Sequence, residues 1–210
     1  MARGENCPVQ RGATAYQGGT IDTADLLYTN LEGTEWEWED IDLSTTTQGA
    51  KGNRTNNMVI TKLVRNVGAV ALLPKQLVTF QASGVYFLGR VDGKANITGE
   101  FPHGVIDEYL ASAGCPVNDM CHVVIQGPTM MLTDLAGADN NVIEVGTVLV
   151  ALTAATSGAT TAGRVKPQDL TGATAVLGAE IQGVIGQALS AKTTTNTNAD
   201  VLVNMVRRWA

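Results

Sequence analysis

Few residues in this chain have the types and spacing that chemistry requires. Cys115, Cys121 and His122 form the one cluster of metal-ligating types. Structural zinc sites space their cysteines about two to four residues apart and add a distant second pair. The spacing here is wider, and only Cys7 remains to complete a set. Adjacent residues in a strand also point to opposite faces, which separates Cys121 from His122. The expectation is that Cys121 packs inward with Val123 and Ile125, while His122 faces out or into an interface. Three cysteines are an odd number, and free thiols are the default reading.

Asp107 and Glu108 are paired carboxylates beside Tyr109. A glycosidase needs two carboxyls that converge on a cleft from separate elements. Neighbours in one turn read more simply as a solvated cap or helix start. The chain has no Gly-x-Ser-x-Gly elbow, no phosphate-cradling loop and no dinucleotide fingerprint. With His103 and His122 the only histidines, the sequence reads as non-enzymatic, with no catalytic residue, metal or cofactor assigned.

Two segments suit recognition instead. In Glu35-Trp36-Glu37-Trp38-Glu39, strand geometry puts Trp36 and Trp38 on one face and the acids on the other. The indoles can anchor a protein interface or the core, or stack on sugar rings. Arg207 and Arg208 can pair with acidic groups on a partner or a neighbouring copy, or form a solvated end. Trp36, Trp38, Glu35, Glu37, Arg207 and Arg208 are therefore the candidate partner-binding residues.

The elements that must carry these residues are β-strands. The chain has 210 residues, enough for one large domain or two small ones. Only 16% are charged, against about 25% in an average soluble domain, which excludes coiled coils and charge-laced bundles. The 23 glycines and the clustered threonines suit a turn-rich β protein. A net charge of −6 disfavours binding to nucleic acid. No apolar run reaches the roughly 18 residues that span a membrane. Residues 1–6 lack a signal-peptide apolar core, so synthesis in the cytoplasm is expected.

Residues 1–57 carry no sustained period and read as an extended arm or as edge strands of the main domain. From residue 58 to 210, short runs rich in Val, Ile and Leu alternate with turn residues, among them Asp92-Gly93 and Gly127-Pro128. A short helix or turn fits 107–113, and another fits 167–177. Within this part lies an internal repeat, with units at about 58–130 and 141–208. Gln76-Leu77-Val78 parallels Thr147-Val148-Leu149, and Gly89-Arg90-Val91 parallels Gly163-Arg164-Val165. Gly104-Val105-Ile106 parallels Gly183-Val184-Ile185. Asp119 with Cys121–Ile125 parallels Asp200 with Val201–Val206. The four matches keep their order, as a duplication would. Shared β composition is the rival explanation. Four or five short strands cannot bury both faces alone, so the unit implies a small barrel or sandwich. Asp119 and Asp200 read as turn residues that bond nearby amides.

The strands Val145–Val150, Gly163–Val165, Ile181–Ala188 and Asp200–Val203 resemble the head decoration, or capsid cement, proteins of tailed bacteriophages. Gly104–Glu108 and Gly114–Asp119 resemble phage virion structural proteins. The resemblance covers residues 58–208 and implies a mainly β fold, a small barrel or sandwich. It further implies a structural protein on the outer capsid surface, assembled in the host cytoplasm. Its partners would be the major capsid protein and neighbouring copies of itself in a homotrimer. The alternative is a carbohydrate- or receptor-binding β-module of a virion fibre.

Overall fold

The computed structural model describes residues 2–14, 31–41, 53–80, 89–94, 103–133, 142–152, 163–168, 170, 181, 183–192 and 200–207. The protein is mainly β, as its composition implies. Among the described residues eleven strands form one sheet: β1 (Ala2–Arg3), β2 (Glu35–Ile41), β3 (Asn53–Asn66), β4 (Leu77–Phe80), β5 (Arg90–Lys94), β6 (His103–Ile106), β7 (Met120–Leu132), β8 (Val148–Ala151), β9 (Val165–Pro167), β10 (Val184–Ala188) and β11 (Asp200–Met205).

The sheet closes on itself twice. Strands β3, β5, β4, β6 and β7 form the first ring, which β7 completes by pairing back onto β3. Strands β7, β9, β8, β10 and β11 form the second, closed by a bridge between Thr133 and Val165. Both rings have the same order, and both close through a parallel contact, Asn66 with Val91 and Thr133 with Val165. All their other pairings are antiparallel. The protein is thus two small barrels of one topology, with β7 as the last strand of the first and the first strand of the second.

Hydrogen bonds repeat as well as strands. Leu72 exchanges both backbone bonds with Cys115, as Ile143 does with Lys192. The Leu73 amide donates to the Gln76 side chain at 2.8 Å, and the Glu144 amide to the Thr147 hydroxyl at 3.0 Å. Lys75 and Gly146 both take left-handed backbone at the tip of this turn, with φ of 66° and 90°. These correspondences support the matches made from sequence in β4/β8 and β5/β9. They revise the other two. Leu77 pairs with Val105 and Val148 with Gln187, so Gly104 corresponds to Gly186, not Gly183. The bulge between Val184 and Gly186 supplies the slip. In the closing strands Val123 corresponds to Val203, which aligns Met120, not Asp119, with Asp200. Asp200 pairs with Lys75 rather than only capping a turn.

The cores follow the same map. Val64, Leu72, Val78, Phe80, Val91, Ile106, Cys121, Val123 and Ile125 fill the first barrel. Met131, Ile143, Leu149, Ala151, Val165, Ala188, Val201, Val203 and Met205 stand at the corresponding places in the second. Alanine, as Ala151 and Ala188, stands there in place of Phe80 and Ile106. Leu77, Val105 and Val124, from the outer face of the first barrel, join the second barrel's cluster and weld the two together. Each such buried aliphatic side chain contributes about 1.5–3 kcal/mol.

Gly127-Pro128 is no turn. It lies inside β7, at the crossing from one barrel to the next. Gly127 has φ of 96°, and a Cβ there would lie 2.3 Å from the Met58 carbonyl oxygen, so only glycine lets the shared strand bend against β3. Residues 107–113 form turns, not a helix. The described parts of 1–57 lie on the first barrel. β2 pairs with β3, β1 adds to β2, and β3 runs through the boundary expected at residue 58.

Candidate functional site

The site is built where the N-terminal stretch crosses the first barrel. β2 pairs with β3 in the register Trp36 to Thr61 and Trp38 to Val59. This puts both indoles on the face that the N-terminal stretch covers. Trp36 is buried with Cys7, Val9, Leu63 and Met120 and donates to Thr34 Oγ1 at 2.9 Å. Trp38 is half-buried. Gly4 lies on its six-membered ring so closely that a Cβ would come within 2.1 Å. The His122 ring meets Trp38 edge-on, with centroids 5.2 Å apart.

A buried chain of hydrogen bonds runs beneath this contact. Trp38 Nε1 donates to Thr61 Oγ1 at 2.8 Å, and Thr61 lies 2.9 Å from His122 Nδ1. His122 Nε2 reaches the Val9 carbonyl at 2.7 Å. The carbonyl can only accept, so Nε2 carries the proton, and Nδ1 accepts from the Thr61 hydroxyl. One neutral tautomer satisfies the whole chain. Burial lowers the His122 pKa, and the Val9 bond opposes this in part. His122 is therefore buried within the chain, between the first barrel and the N-terminal stretch, rather than facing out, while Cys121 packs inward with Val123 and Ile125, as strand alternation implies. Cys7, Cys115 and Cys121 are free and buried. Burial raises the Cys7 pKa, and a hydrogen bond with Cys115 together with burial raises that of Cys121.

Asp107 and Glu108 are not a solvated cap. Asp107 is buried and Glu108 half-buried, and both serve as receptors for distant arginines. Asp107 accepts from Arg11 Nη2 at 2.7 Å and from the Gly12 amide at 2.8 Å, which pins the N-terminal stretch to the barrel. Arg11 also lies over the Tyr109 ring. Burial alone would lower the Arg11 pKa, but Asp107 more than offsets it and the pKa is raised. Arg54 joins Asp40 at 2.8 Å to Glu108 at 2.9 Å. Burial opposes the Arg54 charge too, and its two carboxylates hold it above its ordinary value.

Of the residues expected to bind a partner, Glu35 and Arg207 bind one another through two bonds of 2.9 and 3.0 Å. Lys62 adds a third charge to Glu35 at 3.5 Å. Burial lowers the Lys62 pKa, and Glu35 counters this in part. Arg208 lies outside the described residues. Glu37 is half-buried and lines an open cleft of about 590 Å³ with Glu39, Trp38, Ile41 and Met58 on one side and Arg3, Gly4, Gln10 and Arg11 on the other. Arg11, Asp40 and Arg54 escaped the sequence reading because each pairs with a residue from another part of the chain. The only signal in the sequence was their rarity among so few charges.

Among the described residues no group of three or more His, Cys, Asp or Glu is placed to hold a metal ion, and no helix is long and apolar enough to cross a membrane. What the arrangement offers is surface. It has a cleft at a sheet edge, a pinned N-terminal stretch, and two equivalent turns that expose Val70 and Leu73 in one barrel and Val142 and Val145 in the other. No family model, curated protein or solved structure matches this chain.

Proposed function

We propose that this protein is a structural component of a phage virion that decorates and cements the outer face of the capsid. Its partners in this reading are the major capsid protein and neighbouring copies of itself, arranged as a homotrimer. The observation that carries the reading is the doubled barrel, in which the same turn exposes Val70 and Leu73 in the first copy and Val142 and Val145, one place further along, in the second. A shell of identical subunits presents its surface many times, and a chain with an apolar contact on each barrel can engage it twice. Contacts that are weak singly then add through effective concentration. The buried ion pair at Asp107 and the half-buried one at Glu108 suit a stiff body rather than a reacting site.

Carbohydrate binding by Trp36 and Trp38 has less support. Trp36 is only 9% exposed, and Gly4 lies on the Trp38 ring. Stacking on a sugar needs an open ring face.

Co-sedimentation of the purified protein with expanded capsids tests the proposal. Saturable binding and raised resistance of the particles to heat are the expected results. Absence of the protein from purified virions by mass spectrometry, together with no capsid affinity, would end the proposal. Replacing Val142 and Val145 by Ser should weaken binding without unfolding the second barrel, since both side chains are exposed.

A further inference from the structure

Among the described residues the edge of β2 is only partly occupied. On one side β2 pairs with β3. On the other, Ala2 and Arg3 lie in parallel beside Trp36 and Glu37, and there β1 ends. The chain then turns away through the 3-10 turn Gly4–Asn6. From Trp38 to Asp40 no described strand lies beside this edge, and at Ile41 the backbone carbonyl accepts from the Tyr109 hydroxyl at 2.9 Å. The cleft of about 590 Å³ opens at that place, with Glu37–Ile41 as one wall and Arg3, Gly4, Gln10 and Arg11 as the other. It is a short strand slot already begun by two residues of the protein itself.

The slot holds charges of both signs: Arg3 and Arg11 stand on one wall, Arg11 already bound to Asp107, and two carboxylates stand on the other. Glu37 and Glu39 both line it, two residues apart on one face of β2, and neither forms an ion pair within the described residues. Met58, opposite Glu39 across the pair, exposes an apolar surface between them and β3. A strand laid along this edge would bring alternate side chains to that face, where cations would meet the two carboxylates. A second copy of β2 would bring Glu37 and Glu39 against their own equivalents, and like charges facing across a pair destabilise it. The chain's net charge of −6 adds attraction for a basic segment and repulsion for a second copy.

We propose that the open edge of β2, from Trp38 to Asp40, is a strand-addition site for an extended segment of a partner protein that carries Lys or Arg at alternate positions. Backbone hydrogen bonds to the edge would provide affinity, and the Glu37–Glu39 pair would select the sequence. The site does not depend on the partner being a shell protein.

The test uses the full chain and a capped, fluorescently labelled peptide of alternating Lys and Val, read by anisotropy. Saturable binding is expected. A peptide of alternating Glu and Val should not bind. N-methylation of every second amide, on the edge that would pair, should weaken binding about tenfold or more, because it removes the ladder donors and keeps the charge. The double variant Glu37→Gln, Glu39→Gln should also bind about tenfold more weakly and keep its circular dichroism spectrum. Three results would overturn the proposal: no binding of the Lys-Val peptide, equal binding of its N-methylated form, or a dimer of the free protein held together by this edge. The N-methyl comparison uses the unmodified protein and so decides the matter even if the variant fails to fold.

Discussion

Gly104 on β6 and Gly186 on β10 occupy the same place in the two barrels, and each has a neighbour pressed where a side chain would begin. A Cβ on Gly104 would lie 2.2 Å from Val123 Cγ1 and 2.9 Å from the Phe80 ring. A Cβ on Gly186 would lie 2.2 Å from the Asn204 backbone oxygen. The first obstacle is made of side chains and the second of backbone. Gly186→Ala should therefore cost more than Gly104→Ala, with about 1–3 kcal/mol for the milder case. Urea unfolding of both variants checks the order. Equal, small losses would show that the strands can slide apart.

The bond between Arg11 and Asp107 should hold the N-terminal stretch in place. The two side chains are 4% and 1% exposed, so removing one leaves the other charged and buried. Arg11→Ala should cost about 3–5 kcal/mol if the stretch stays docked, and less if it lifts off to let Asp107 meet water. Limited proteolysis separates the cases, because a lifted stretch is cut before the barrels are. A variant with wild-type stability and wild-type protection would show that the pair contributes nothing.

Stability should fall on mild acidification through His122. Its pKa is lowered in the folded protein from the ordinary 6.5, so below that value the unfolded chain binds the proton more readily. The His122 contribution is complete above about pH 6.5 and declines below it, by at most about 1.4 kcal/mol per pH unit. The facing groups are Asp107, Arg11 and Cys7, of which Asp107 favours the charged ring and Arg11 opposes it. Thermal melts at pH 7.5 and pH 5.5 should differ, and in His122→Gln the difference should shrink. An unchanged difference would assign the effect to the carboxylates.

The thiols should be silent in the native state. Cys7, Cys115 and Cys121 are buried, and the raised pKa values of Cys7 and Cys121 keep those two protonated beyond the ordinary value of 9.0. A thiol reagent should therefore titrate no cysteine in buffer and all of them in urea. For Cys7 and Cys121, stability is complete below pH 9.0 and falls as pH rises above it, since the unfolded chain then loses its protons first. Rapid labelling of a native thiol at neutral pH would contradict this packing.

Much of the architecture was written locally. The Val- and Ile-rich runs, the Gly-Arg-Val pairs at 89–91 and 163–165, and the alternation that puts Cys121 and His122 on opposite faces of β7 all depend on neighbours within a few residues. A strand has a period of two wherever it is placed, so these features survive reading without coordinates. Tertiary structure decided the rest. Gly127-Pro128 has the composition of a turn, yet it lies mid-strand because β3 and β11 pair with β7 on either side of the bend. Gly104 finds its counterpart in Gly186 only through pairing with β4 and β8. Asp107 and Glu108 read as wet because their arginines lie 96 and 54 residues away. Charge pairing and burial act through space, and only the closed barrels bring those partners together.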